Sequence, residues 1–181
     1  MADAVLSPPV RPEPVEGGRG GRAFDRVRPS GLLRTNTVLL LGPAALLLGA
    51  LGFQHIGHLA PCEMCLWQRW PHLTALVLAV IAFAAPPALR RVLLIIAAGG
   101  VLTSAAIGAY HVGVEQHWWT GPTHCTPVMG MGGDFLASMV SAPLVRCDVA
   151  AWSLVGISIA GWNAIVSATI GLFAFTRLVR A

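Results

Sequence analysis

Four cysteines are the residues best able to do chemistry in this sequence: Cys62, Cys65, Cys125 and Cys147. Cys62 and Cys65 form a C-x-x-C, the spacing of many catalytic dithiols, in which one sulfur is favoured as a thiolate. Cys125 and Cys147 lie 22 positions apart in a stretch rich in turn-forming residues. A cysteine pair on such a loop can be carried toward different partners, as thiol–disulfide exchange requires. The pattern is open to three readings: two structural disulfides, a four-cysteine zinc site, or a redox relay. Zinc sites usually show a second closely spaced pair, which is lacking here. A structural disulfide across two residues would constrain the unfolded chain little.

Arg69 favours the relay. It follows Cys65 by four residues, so both share one face of a helix. Cys65 would sit near that helix's N-terminus, where the dipole favours negative charge. Arginine and dipole together favour the Cys65 thiolate. A bland role for Arg69 also exists, since a long cationic side chain can snorkel to lipid headgroups.

The elements that must hold these residues are membrane helices. The chain has 181 residues, of which 55% are hydrophobic and only 11% charged. Soluble domains carry about 25% charged residues. No Asp, Glu, Lys or Arg occurs between Arg34 and Glu63, Arg69 and Arg90, Arg91 and Glu115, or Asp148 and Arg177, windows of 28, 20, 23 and 28 residues. A bilayer span needs about 20 residues at 1.5 Å each. The expected fold is an all-α integral membrane protein, a four-transmembrane-helix bundle with a long outer loop between helices 3 and 4. Its spans are expected at Thr37–Leu59, with a kink at Gly42-Pro43, at Cys65–Ala85, at Val92–Val114 and at Ala151–Thr176. Small residues at Gly100, Ser104 and Gly108, and at Gly156, Ala160, Ala164 and Ala168, would let helix backbones approach closely in lipid.

All twelve basic residues are arginine, and ten of them fall at the two termini or between spans two and three. Only Arg69 and Arg146 fall on the opposite side. The positive-inside rule then places both termini in the cytoplasm and all four cysteines at the outer face, where bacterial compartments are oxidising. The net charge of +4 therefore sets topology, and no nucleic-acid role is expected. Residues 1–34 read as a disordered Arg/Pro/Gly-rich cytoplasmic tail and 35–181 as the membrane domain. In the long loop, Trp118-Trp119 suits an interfacial aromatic belt, and Asp134 could cap a short helix over Phe135–Val140. Pro71 should free the Trp67 carbonyl and bend the second helix.

The stretches Phe53-Gln54-His55, Pro61-Cys62-Glu63-Met64-Cys65-Leu66-Trp67-Gln68-Arg69, Tyr110-His111 with Trp119, Gly121-Pro122 and Cys125, and Cys147-Asp148 with Trp152, Gly156 and Gly161-Trp162-Asn163 resemble the disulfide bond formation protein B (DsbB) family. The resemblance covers residue 35 to the end. It implies a quinone-reducing protein-disulfide oxidoreductase of the bacterial inner membrane. A periplasmic thioredoxin-like protein (DsbA type) would attack a Cys125–Cys147 disulfide at Cys125. Cys147 would exchange with Cys62, and Cys65 would deliver the electrons to ubiquinone or menaquinone. Arg69 matches the family's quinone-site arginine, and His111 a histidine near the quinone. No metal is expected. The competing readings are a membrane scaffold or a metal-binding protein with structural cysteines.

Overall fold

The computed structural model describes residues 29–121, 126–127 and 144–180. Four helices account for most of them: α1 (Pro29–His55), α2 (Glu63–Ala84), α3 (Pro87–Glu115) and α4 (Ile159–Val179). The α3 helix packs most extensively against α4 and α2, while α1 closes the ring against α2 and α4. Gly31–His55 of α1, and the whole of α3 and α4, are each long and apolar enough to cross a membrane. The 22-residue α2 is also largely apolar but carries Gln68, Arg69 and His72 in its first half.

The interior combines many small residues with a few large ones such as Leu39, Leu94, Val101 and Leu178, while many large apolar side chains lie outside. Ala75, Ala79, Ala82, Ala97, Ala98 and Ala174 are buried, whereas Leu41, Leu48, Val80, Ile81 and Leu172 point outward. In water so many exposed large side chains would forfeit much of the hydrophobic effect. In lipid, tails solvate the large side chains, and close backbone approach supplies the packing. Gly108 shows this: a Cβ there would stand 3.0 Å from the Ala160 carbonyl oxygen and 3.2 Å from the Ala164 Cβ. At Gly100 a Cβ would stand 3.2 Å from the Pro71 carbonyl oxygen.

Helix ends follow local chemistry. Pro86 caps α3, with Pro87 in its first turn, where a missing N–H costs nothing. Arg90 Nε donates to Ala82 O at 2.8 Å, and Arg91 Nε to Leu178 O at 3.1 Å, so both arginines satisfy carbonyls at helix C-termini. Helix α1 runs unbroken through Gly42-Pro43. It starts at Pro29, ahead of the expected Thr37, so residues 29–34 are helical and not part of a tail.

The expected fourth span needs a larger correction. Ala151–Ser158 is not helical. Within it, Ser153–Leu154 (β3) and Ile157–Ser158 (β4) pair as an antiparallel hairpin. Its two turn residues, Val155 and Gly156, both have positive φ, 54° and 76°. A two-residue hairpin turn of this kind matches the twist of the strands it joins. Gly156 is therefore a turn residue, and only Ala160, Ala164 and Ala168 belong to a helical ridge. Ser158 then caps α4, its side chain accepting from Gly161 N. A second ladder joins Thr126–Pro127 (β1) to Leu144–Val145 (β2). Cys125, residues 1–28 and the expected Phe135–Val140 helix lie outside the described residues.

Candidate functional site

The C-x-x-C sits astride the start of α2. Cys62 is the N-cap, its sulfur accepting from Cys65 N at 3.2 Å, and Cys65 lies in the first turn. The two sulfurs are 2.7 Å apart, with the Cys62 thiol donating to Cys65. That hydrogen bond, followed by burial, pushes the Cys62 thiol well above the ordinary thiol range. Cys65, the accepting sulfur, is the natural seat of negative charge, on the helix turn where orphan N–H groups stabilise an anion.

The two cysteines face different surroundings. Cys62 belongs to a small buried cluster with Met64 and Val114, against which both Cys65 and Cys147 pack. The ligating atoms of Cys62, His111 and Cys147 lie within 4.8 Å of one another. Cys62 Sγ is 3.7 Å from His111 Nε2. This donor set could hold a soft metal ion; it is equally the juxtaposition that exchange between Cys147 and Cys62 needs. Glu115, one turn on, places Oε1 3.9 Å from His111 Nε2. Just beyond, Arg146 Nε donates to Asp148 Oδ1 at 2.8 Å, which holds the Asp148 carboxyl down to about 2.

Cys65 instead lines a cavity of about 360 Å³ bounded by α1, α2, α4 and the β3–β4 hairpin. Its walls are mostly apolar, among them Leu46, Leu47, Phe53, Trp152, Leu154 and Trp162. Five polar side chains converge there: Cys65, Gln68, Arg69, His72 and Asn163. Size and lining are those of a small-molecule site. Arg69 is held by neutral acceptors of α1, with Nη1 donating to Gln54 Oε1 at 2.6 Å and Nη2 to Ala50 O at 3.4 Å. Its charge is thus positioned but not neutralised. The lining offers flat apolar walls, one cationic donor and a sulfur.

Behind the cavity runs a polar network spanning three helices. Asn163 Nδ2 donates to Gln68 Oε1 at 2.7 Å, and Gln68 Nε2 lies 3.0 Å from His111 Nδ1. His72 Nε2 is 3.0 Å from both Asn163 Oδ1 and Ser104 Oγ and 3.2 Å from Ser167 Oγ. Of the residues expected from sequence, Cys65 and Arg69 share the cavity, while Cys62, Cys147 and His111 meet on its far side. His111 is not among the cavity-lining residues; it reaches that side only through Gln68. The sequence reading gave no hydrogen-bonding role to Gln68, His72, Ser104, Asn163 or Ser167. Polar residues inside an apolar span were the signal that could have found them.

Comparison with known proteins agrees with this architecture. The family model described as "Disulfide bond formation protein DsbB" matches residues 34–176. Disulfide bond formation protein B of Polaromonas naphthalenivorans (strain CJ2) is 34% identical over 161 residues, covering 81% of this chain and 91% of the relative. That of Polaromonas sp. (strain JS666) is 34% identical, covering 81% and 92%. Disulfide bond formation protein B 2 of Pseudomonas aeruginosa (strain PAO1) is 30% identical, covering 78% and 83%. No solved structure gives a significant match. With a family model covering most of the chain and relatives of this similarity over nearly their full length, the chain belongs to the disulfide bond formation protein B (DsbB) family.

Proposed function

We propose that this protein is a quinone-linked thiol oxidase of the bacterial inner membrane that reoxidises a periplasmic DsbA-type thioredoxin-like protein. The observation that carries this reading is the division of the C-x-x-C. Cys62 lies against Cys147 and His111, and Cys65 lies in the wall of a cavity with Arg69. One helix turn thus joins a thiol-exchange site to a ligand site. In the proposed topology α2 crosses the membrane along with α1, α3 and α4, both termini are cytoplasmic, and the cysteines face the periplasm. The outward Leu73, Val77, Val80 and Ile81 suit α2 to lipid contact.

In the proposed relay, a thiolate of the partner attacks Cys125 of a Cys125–Cys147 disulfide and releases Cys147 as thiolate. The β1–β2 register supports that pairing, because Thr126, next to Cys125, lies opposite Val145, two residues before Cys147. The partner's second thiol resolves the mixed disulfide, leaving the partner oxidised and both loop cysteines reduced. Cys147 then attacks Cys62 of a Cys62–Cys65 disulfide, and Cys65 departs as thiolate. Cys125 attacks Cys147 of the new bond, which restores the loop disulfide and leaves Cys62 and Cys65 reduced. His111, beside Cys62, exchanges the proton, and Gln68 links that ring to the cavity. A ubiquinone or menaquinone bound in the cavity would supply a two-electron acceptor for the Cys62–Cys65 dithiol. Arg69, in the cavity lining, would hold its oxygen and favour the Cys65 thiolate. The test is quinone reduction by the purified protein given a reduced thioredoxin-like donor; no reduction with either quinone would leave a membrane scaffold or metal-binding protein as the better reading.

A further inference from the structure

Four side chains from three segments converge on the far side of α2 from the cavity, and none of them lines it. Cys62 caps α2, His111 and Glu115 lie one turn apart at the end of α3, and Cys147 is half-buried in the segment that leads to the β3–β4 hairpin. The ligating atoms of Cys62, His111 and Cys147 lie within 4.8 Å of one another, so some point lies within about 2.8 Å of all three. Cys62 Sγ stands 3.7 Å from His111 Nε2. Tetrahedral zinc, with bonds of about 2.3 Å to sulfur and about 2.0 Å to nitrogen, holds those two atom types about 3.6 Å apart. Glu115 adds a fourth donor. Its side chain is 6% exposed and Oε1 is 3.9 Å from His111 Nε2, while Oε2 is buried without a hydrogen-bond partner among the described residues. A buried polar atom left without a partner calls for a reason.

We propose that Cys62, His111, Glu115 and Cys147 form a binding site for zinc(II) or a divalent cation of similar softness, open only in the fully reduced protein. Two thiolates, an imidazole and a carboxylate are donors that zinc takes. Binding moves no electrons: the metal replaces the two thiol protons, which leave to solvent, and His111 binds through an unprotonated Nε2. A disulfide at Cys62 or at Cys147 removes a donor and closes the site. The site stands without the quinone reading. On that reading it fills when both cysteine pairs are open, as when donor thiols outrun the acceptor, and it holds Cys62 and Cys147 out of exchange.

The test uses cobalt(II), whose visible absorption reports tetrahedral geometry and whose near-ultraviolet absorption reports thiolate ligation. The full chain, reduced and kept without oxygen in detergent, is titrated with cobalt and then with zinc. The expected result is one cobalt per chain with a tetrahedral, thiolate-bound spectrum that zinc erases and that oxidation of the cysteines abolishes. Cys147→Ser and His111→Gln should weaken cobalt binding about a hundredfold, and Glu115→Gln about tenfold. His111→Cys keeps a ligand at that position and should retain binding with stronger thiolate absorption, which separates loss of a donor from loss of the fold. Cys65→Ser and Cys125→Ser should leave the spectrum in place. Its loss in either of these, with retention in His111→Gln, would assign the metal to the C-x-x-C pair or the loop pair and overturn the site. Absence of a tetrahedral spectrum in the reduced chain also overturns it, and leaves the quinone reading to its own test of quinone reduction.

Discussion

At the scale of single residues, the relay depends on which sulfur carries charge. Cys62 donates to Cys65 and is held high by that bond and by burial. A raised thiol stays protonated through neutral pH and becomes nucleophilic only above its raised value. In the reduced protein, iodoacetamide should therefore modify Cys65 first, with Cys62 unreactive at about pH 7 to 9; rapid labelling of Cys62 at neutral pH would contradict the arrangement. Arg69 acts on the same sulfur from inside the cavity. Arg69→Met keeps an apolar stem and removes the charge. The expected outcome is an apparent KM for quinone about tenfold higher, equivalent to about 1.4 kcal/mol, and slower alkylation of Cys65. Lys should restore only part of this, lacking the planar fork. If kinetics and labelling are unchanged while membrane expression falls, Arg69 is a headgroup anchor. Cys147→Ser should leave Cys125 able to trap the thioredoxin-like partner as a mixed disulfide on non-reducing gels, whereas Cys65→Ser should stop quinone reduction. A normal rate in Cys65→Ser would remove the proposed order.

At the scale of elements, what was legible followed from periodicity and charge. Charge-free windows marked roughly where the four helices lie, because charged side chains are costly and rare in apolar spans. The hairpin at Ser153–Ser158 was not legible, because its residues are as apolar and uncharged as the helix that follows. A strand pair and a helix turn look alike when nearly every side chain is Val, Ile, Leu or Ser, and only the positive φ at Val155 and Gly156 separates them. The cysteine pair, Arg69 and their shared helix face were readable, since four residues make about one turn. The separation of His111 from the cavity was not, because it depends on how α3 sits against α2. Helix packing makes its own prediction. Gly108→Ala sets a Cβ 3.0 Å from the Ala160 carbonyl oxygen and should cost about 1–3 kcal/mol. Gly99 has nothing within 4 Å of the same position, so Gly99→Ala should be neutral or stabilise by up to about 1 kcal/mol through helix propensity. Thermal unfolding in detergent should show opposite shifts; equal shifts would mean that α3 and α4 do not meet there.

At the scale of the whole molecule, the arginine distribution predicts orientation. Reporter fusions at Gly132 and Ala181 should report opposite sides of the membrane, with Gly132 outside. A cytoplasmic Gly132 would put the thiols in a reducing compartment and overturn the proposed oxidase. Composition alone made the membrane character readable. The many large apolar side chains on the outside, and the small residues where helices approach closely, then follow from a solvent that does not drive large side chains inward. The division of Cys62 from Cys65 has a consequence for how such a protein can change over time. On the proposed reading, the aqueous partner meets only the loop and the Cys62 side, while the oil-soluble acceptor meets only the cavity. On that reading, each half can drift under its own selection, joined only by the three-residue step from one sulfur to the next. A lineage that changes its respiratory quinone would need to rework α1, α4 and the hairpin, and could keep its protein clientele unchanged.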